Sequence, residues 1–445
     1  MKYLFSFILF CGSLCLQAQG PAQWDLKTCV EYAIQHNISV QQAEVSVRLA
    51  KIQAQLAGSN QLPTMNGSTG MGMRFGRSID PTTNGFSSTQ FLYNNFGVNG
   101  GVQLFNAGRL RNTTSAANYS WIASESDKLA IANDVSLNVA TYYLQILSAI
   151  EQVEIAKIQI QQTKEQLAAT GKRVEVGLLP ELNLLELETQ LANDSSSYIT
   201  AISNVQQSKL SMIALLNLDA SKPFEVVAQP VDQIKVQNFA DLQPDYVFNV
   251  ATQNMPNVIA ANLRVKAAEK NSLAAKAGFY PSLSFGYNLT SNFSNQSKNW
   301  GTVWNGWNTQ VSNNFGQNVG LQMNIPIFNG NQSKLNYQQS KLNLNNVKLQ
   351  ADNTQLKLKQ DIYSAYTNAI VSFNKLNAAQ KALNSAEKTY QFATKRYDLG
   401  LLGTIELLNN QNNYLKAKVN FKTAQYEYVF RIKLLEFYKG EALSL

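Results

Sequence analysis

Two parts of the chain alternate apolar and polar residues with a period of two, the pattern of a β-strand with one apolar face. In the second part the apolar positions are Leu283, Phe285, Tyr287 and Leu289, then Val319, Leu321, Met323, Ile325 and Ile327. The first part alternates more loosely, at Met65, Thr69, Met71, Met73 and Phe75, then Val98, Val102 and Leu104. Each strand pair is joined by a polar stretch, residues 76–94 and 294–313. A membrane strand and a half-buried strand of a soluble sheet share this alternation, so the pattern leaves both open.

Two very long helices are predicted after the strand pairs. Asn106 and Asn329 are candidate N-caps, and no proline interrupts the chain from there to Gly177 and Gly400. The predicted helix from 107 to 175 would be ~100 Å long. Its apolar residues recur every seven positions, which predicts a coiled coil. These positions are Ile146, Val153, Ile160, Leu167 and Val174, with Leu376, Leu383, Tyr390 and Tyr397 in the second helix.

The chain is internally duplicated. "KRVEVGLLP" at 172–180 returns as "KRYDLGLLG" at 395–403, and "NNFGVNGGVQLFNAG" at 94–108 corresponds to "NNFGQNVGLQMNIPIFNG" at 313–330. Pro63 and Pro281 each end a preceding helix, predicted over 25–57 and 244–277. Order and spacing agree across these landmarks, with offsets of 218 to 223 residues, which indicates a tandem repeat. The predicted domains are repeats at 19–217 and 244–445, joined by a proline-containing linker at 218–243.

The repeated phrase predicts the tip of an αα-hairpin. Gly177 and Gly400 suit the left-handed cap of a long helix, and Pro180 suits the first turn of the returning helix. The returning helices are predicted over 180–217 and 404–438. The leucines that follow each glycine would be exposed at the tips, where they either close the hairpin end or bind a partner. They are Leu178, Leu179, Leu401 and Leu402.

The N-terminus predicts export. Lys2, an apolar run to Leu16 and a small-residue exit at Ala18 form a signal peptide, residues 1–18. Cys11 and Cys15 follow bulky residues, which disfavours lipid attachment. Beyond the signal no apolar stretch approaches ~18 residues, so any membrane span must consist of strands.

Composition excludes several classes of function. After the signal peptide one cysteine, Cys29, and one histidine, His36, remain, so neither an internal disulfide nor a histidine-based metal site is expected. The net charge of +8 is dispersed, which disfavours nucleic-acid binding. No nucleotide motif and no acid–base constellation appears. We therefore expect no enzyme activity, no metal and no cofactor.

The strand count predicts an oligomer. A sheet in lipid must close on itself, and membrane barrels have ~8 strands or more. Four strands per chain cannot close, so copies of the chain must assemble, and two or three would suffice numerically. The fold class is therefore mostly α with a small β part: four strands toward a membrane barrel, plus long coiled-coil helices.

The chain resembles the TolC-type outer membrane efflux family over essentially its whole mature length. The duplication, the prolines at strand entry, the "FNAG" and "FNGN" strand-to-helix junctions and "GLL" at both tips carry the resemblance. It implies a homotrimer with a twelve-stranded barrel in outer membrane lipid and a helical tunnel across the periplasm. It also implies a periplasmic adaptor docked at the tips and an inner-membrane transporter beyond it. Acidic residues ring the closed aperture in this family, and the match places that role at Glu406 and Asn409, with Asn183 and Glu186 in the first repeat.

The predicted function is a passive exit duct of a tripartite efflux or type I secretion system, opened at its periplasmic tips. The alternative is a structural or adhesive outer membrane coiled-coil protein. A terminal anchor would serve that role, whereas here strand pairs occur in both repeats between helices. The transported substrate and the partner pump do not follow from the sequence.

Overall fold

The computed structural model describes residues 24–79, 84–227, 239–295 and 306–441. The predicted signal peptide, the middle of the predicted linker and parts of both polar stretches lie outside these ranges. The described elements of the first half are α1 Leu26–His36, α2 Ile38–Ser59, β1 Thr64–Ile79, β2 Phe86–Phe105, α3 Arg109–Glu175 and α4 Glu181–Leu216. Those of the second half are α5 Pro244–Asn254, α6 Pro256–Lys276, β3 Ser282–Ser294, α7 Trp307–Asn313, β4 Gly316–Asn324, α8 Gln332–Asp398 and α9 Thr404–Tyr438.

The long helices confirm the predicted all-helical course from strand to tip. Both α3 and α8 have 67 residues, about 100 Å at 1.5 Å per residue. They begin two or three residues later than expected, because left-handed residues precede them at Ala107 and Gly108, and at Gly330 and Asn331. The Asn106 side chain accepts a hydrogen bond from the Leu110 amide at 3.4 Å, whereas Asn329 donates to Ser333 and does not cap α8.

The first helix of each repeat is broken, contrary to the prediction of one continuous helix. Asn37 is extended between α1 and α2, and its side-chain amide donates to the Leu215 carbonyl at 2.9 Å. Met255 is extended between α5 and α6, because the following Pro256 disfavours helical backbone there. The two breaks lie 218 residues apart, the offset of the repeat. Pro180 is the N-cap of α4 and not a first-turn residue.

The four strands form one antiparallel sheet in the order β1-β2-β3-β4. Most of the predicted first loop is strand, since β1 runs to Ile79 and β2 begins at Phe86. The predicted second loop contains α7. The β4 strand stops at Asn324, so Ile325 and Ile327 lie beyond it, where Pro326 has no N–H for the ladder.

The described residues separate into two compact units, and each unit draws on both repeats. One comprises Met1–Glu44, Asp127–Val258 and Gln355–Leu445, and the other Val45–Ser126 and Ile259–Thr354. The first has a core around Cys29, Tyr143, Met212 and Leu216. Burial raises the pKa of the Cys29 thiol to about 12. The second contains the sheet and the helix segments that flank it.

Among the helices of the described ranges, none combines the length and the apolar content that crossing a membrane requires.

Candidate functional site

The two hairpin tips have the same turn geometry. Gly177 and Gly400 both have φ of +73°, the left-handed conformation that a glycine adopts without Cβ strain. At the first tip the Leu178 amide donates to the Arg173 carbonyl at 2.8 Å, and Gly177 donates to Val174 at 2.9 Å. These two bonds are the Schellman motif, which satisfies the last carbonyls of a helix.

The second tip repeats both bonds. The Leu401 amide donates to the Arg396 carbonyl at 2.8 Å, and the Gly400 amide donates to the Tyr397 carbonyl at 3.0 Å. Each glycine is therefore followed by a leucine at a fixed position outside the helix.

The predicted tip leucines divide into two kinds. Leu178 is 74% exposed and Leu401 is 64% exposed. Leu179 and Leu402 are half-buried, and Leu402 packs against a small cluster of Ala393, Tyr397 and Leu407. The first leucine of each pair therefore presents an apolar side chain to solvent, and the second fills the hairpin end.

Further apolar side chains surround each exposed leucine. The exposed residues of the first tip are Val176, Leu178, Leu182 and Leu185, and those of the second are Leu399, Leu401 and Ile405. Three positions of each set correspond at the repeat offset of 223. Both tips thus carry an apolar surface of similar layout.

The predicted aperture residues lie just after the turns. Glu406 and Asn409 are exposed, one helical turn apart on α9. Asn183 and Glu186 are half-buried, one turn apart on α4. At the repeat offset Glu406 corresponds to Asn183, and Asn409 to Glu186, so acid and amide alternate between the two helices.

A set of polar contacts between the hairpins was not foreseen from the sequence. The hydroxyls of Thr170 on α3 and Tyr397 on α8 are 2.9 Å apart and buried. The Gln166 amide donates to the Tyr390 hydroxyl at 3.1 Å. An exposed ion pair joins Arg173 and Asp398 at 3.6 Å.

A second polar group lies further along the hairpins. Asp194 of α4 is buried and accepts hydrogen bonds from Thr163 at 2.6 Å and from Gln190 at 2.7 Å. Gln411 of α9 reaches Thr163 at 3.4 Å. The Oε1 atoms of Gln166 and Gln411 are buried with no hydrogen-bond partner among the described residues. The helices near the tips are therefore joined by buried polar contacts as well as by the apolar cluster around Leu407.

One sequence signal could have indicated these contacts. Tyr390 and Tyr397 occupy the sevenfold series where the first repeat has Leu167 and Val174. A buried tyrosine hydroxyl needs a hydrogen-bond partner, so the exchange of apolar residues for tyrosines predicts polar groups on the facing helix. Within the described ranges, no cluster of His, Cys, Asp and Glu has the arrangement of a metal site.

Comparison with known proteins shows which family shares these features. The sequence model of the family described as "Outer membrane efflux protein" matches residues 29–218 and 247–436, one match in each repeat. The chain is 24% identical over 310 residues to the "Probable outer membrane lipoprotein SilC" of Salmonella typhimurium, covering 68% of this chain and 61% of SilC. It is 25% identical over 317 residues to the "Cation efflux system protein CusC" of Escherichia coli O157:H7, covering 70% of this chain and 63% of CusC.

The fold agrees as well. A crystal structure of CusC superposes with a TM-score of 0.80 at 20% identity, covering 94% of this chain and 92% of that one. The sequence matches themselves span only about three-fifths of SilC and CusC. The family model covers most of the chain and confirms the resemblance seen in the sequence, so the chain belongs to the outer membrane efflux protein family.

Proposed function

We propose that the chain is the outer membrane channel subunit of a tripartite efflux or type I secretion system, acting as a homotrimer. It would be a passive duct, and an inner-membrane transporter would supply the energy. The observation that carries the proposal is the combination of a two-faced sheet with unpaired outer strands and twice-repeated hairpins with apolar tips.

The sheet supports assembly with further copies. Its order leaves one edge each of β1 and β4 without a partner strand in the described chain. An open edge in lipid leaves backbone N–H and C=O groups unsatisfied, at a cost of several kcal/mol each. Pairing β4 of one copy with β1 of the next removes both edges, and three copies give a closed sheet of twelve strands.

Exposed leucines on a long helix support the same assembly. Leu335, Leu342 and Leu349 of α8 recur every seven residues and are each more than half exposed. On α2, Val45 and Ile52 form one such series, and Leu49 and Leu56 another. Sevenfold apolar series are the seams of coiled coils, so a helix of a second copy is the occupant that fits them.

The tips would form the gate. Glu406, Asn409, Asn183 and Glu186 would surround the closed aperture and restrict it by charge and by bulk. Polar contacts such as Thr170–Tyr397 exchange readily for contacts with water, at a net cost of about 1 kcal/mol each. Hairpins joined in part by such contacts can separate at the tips at a lower cost in free energy than hairpins joined by an apolar core alone.

The turn segments Gly177–Leu178–Leu179 and Gly400–Leu401–Leu402 would be the docking surface for a periplasmic adaptor. Exposed apolar side chains on rigid turns suit an apolar groove on a partner. Similarity to two relatives, a probable outer membrane lipoprotein and a cation efflux system protein, supports an efflux role. They do not determine the substrate of this chain.

The docking proposal is tested with Leu178→Asp and Leu401→Asp, singly and together. We expect the double variant to lose at least about tenfold of its affinity for the adaptor, because each change places a carboxylate in an apolar contact. The measurement is co-purification with the adaptor encoded nearest to this chain. Trimer formation, followed by native mass, should stay unchanged.

Ile199→Asp is the matched control. Ile199 is also an exposed apolar residue of α4, at 67%, but it lies far from the turn. Adaptor binding should survive this change. Full binding by the double tip variant would instead mean that Leu178 and Leu401 only close the hairpin ends.

A further inference from the structure

A row of four asparagines crosses the whole sheet. Asn66 of β1 lies opposite Asn99 of β2, Asn99 opposite Asn288 of β3, and Asn288 opposite Asn318 of β4. Residues in direct register across antiparallel strands have their side chains on the same face. All four asparagines are exposed, so the face presents an unbroken row of amides.

The rows on either side of the asparagines are small. One consists of Thr64, Gly101, Gly286 and Gly320, and the other of Ser68, Gly97, Thr290 and Gly316. A Cβ added at Gly320 would meet nothing within 4 Å, and at Gly286 only a carbonyl oxygen at 4.0 Å. Packing within the chain therefore does not require glycine at these two positions. Glycine at these two positions leaves open space beside the asparagine row, so the asparagine amides extend further from the sheet than the residues next to them.

The opposite face of the sheet is apolar. Its exposed positions include Met65, Met71, Val319, Leu321 and Met323. An open concavity of about 540 Å³ on the asparagine side is lined in part by Asn95, Asn99, Asn288 and Thr290, whereas one of about 500 Å³ on the other side is lined in part by Phe96, Val98 and Leu289. The asparagine side is thus the face suited to water, and the other face is suited to lipid.

Charged residues are nearly absent from the strands. Of the residues in β1 to β4, only Arg74 and Arg77 are charged, and both lie in the last part of β1, beyond the asparagine row. From Thr64 to Gly72 and along the paired parts of the other strands, neither face has a carboxylate, an ammonium or a guanidinium group.

From these observations we infer that the asparagine row is an uncharged amide band in the wall of the passage, which contacts solutes by hydrogen bonding and size and does not select them by charge. The inference rests on the proposed function, since it requires the asparagine face to line a water-filled passage. The matching solutes are molecules rich in hydroxyl or amide groups, of either charge or none. Charge selection would then lie outside the asparagine row, at the tip and near Arg74 of β1.

The test uses variants of the full chain in the outer membrane, each with one introduced cysteine beside the native Cys29. Asn318→Cys and Val319→Cys are adjacent and on opposite faces, and buried Cys29, with its raised pKa, should not react. We expect a membrane-impermeant thiol reagent to label the first and not the second. Labelling of Val319→Cys but not Asn318→Cys in a membrane-embedded trimer would overturn this inference alone. A soluble monomer labelled at both positions would overturn the proposed function as well.

Charge is tested at Asn288→Cys with a cationic and an anionic reagent of equal size. The ratio of their rates should stay within about threefold of the ratio on a free small thiol. Adding Asn99→Asp should shift it about tenfold toward the cationic reagent, because the new carboxylate would lie directly opposite the introduced thiol. Asn99→Gln, which stays neutral, should leave the ratio unchanged. If Asn288→Cys alone gave a rate ratio tenfold different from the ratio on the free small thiol, the wall would select by charge and the inference would be overturned.

Discussion

Single residues at the tips determine how the proposed gate would respond. Glu406 and Glu186 are the carboxylates of the proposed aperture, and amides take the corresponding places at Asn183 and Asn409. A ring built from both positions therefore has half the charge of an all-acidic one. Side-chain bulk contributes to closure alongside charge, so shortening the side chains should change the current through the channel.

We expect Glu406→Ala combined with Glu186→Ala to raise the mean single-channel current in a planar bilayer at least about twofold, because a pore constriction responds to side-chain size and charge. Glu188→Ala is the control. Glu188 is an exposed carboxylate on α4, the helix of Glu186, but it is outside the predicted aperture set. Equal currents in the double variant and the parent would reject the aperture assignment. The assignment of the fold does not depend on that result.

At the scale of elements, the backbone conformation at the helix ends restricts which residues each hairpin turn can accept. Gly400 ends α8 with φ of +73°, whereas Gly403, three residues later, has φ of −76° and is the N-cap of α9. A Cβ at either position would meet no atom within 4 Å. The two glycines therefore differ in backbone conformation and not in available space.

Gly400→Ala should destabilise the tip by about 1 kcal/mol, the cost of a left-handed non-glycine residue. Hydrogen exchange of the amides at the end of α8 should then accelerate about fivefold. Gly403→Ala should leave exchange there unchanged. Similar acceleration by both variants would mean that the left-handed cap is not what stabilises the turn.

The elements also show how far sequence reasoning reaches. Heptads, glycine caps and the duplication predicted α3, α4, α8 and α9 within a few residues, because those signals are local. The break at Met255 had a local signal in Pro256, and Asn37 has a local bond too, because its side-chain oxygen accepts from the Ser39 amide at 2.9 Å. Its second bond, to the Leu215 carbonyl 178 residues away, had no signal in the sequence. The buried contacts of Thr170 and Asp194 likewise depend on which helices face each other, and periodicity alone does not define that pairing.

For the whole molecule, the family match confirms the predicted outer membrane location. Because the chain is duplicated, the pairing of β2 with β3 joins the second strand of one repeat to the first strand of the other. In that pairing Asn99 lies opposite Asn288. Gly70 is the counterpart of Asn288 at the offset of 218, so the asparagine row, which starts at Asn66, moves four residues along the strands from β1 to β3. If copies join as the repeats do, the row moves four residues more, and Asn318 lies opposite Arg74 of the next copy.

Oxidation of a variant with Asn318→Cys and Arg74→Cys should therefore yield covalent trimers on a denaturing gel, because opposed residues lie within disulfide reach. The pair Asn318→Cys and Asn66→Cys is the control. It would be about 26 Å out of register and should stay monomeric. Trimers from the control pair alone would reject the transferred register.

The transferred register has a geometric consequence for the asparagine row. Asn318 would face Arg74 of the next copy, eight residues along the strand from Asn66. The asparagine rows of the three copies could not then join into one closed ring at a single level of the wall. Because rotation relates the copies, the three rows would start at the same height and run obliquely outward, and a molecule moving outward would pass the Asn66 amides first and the Asn318 amides last.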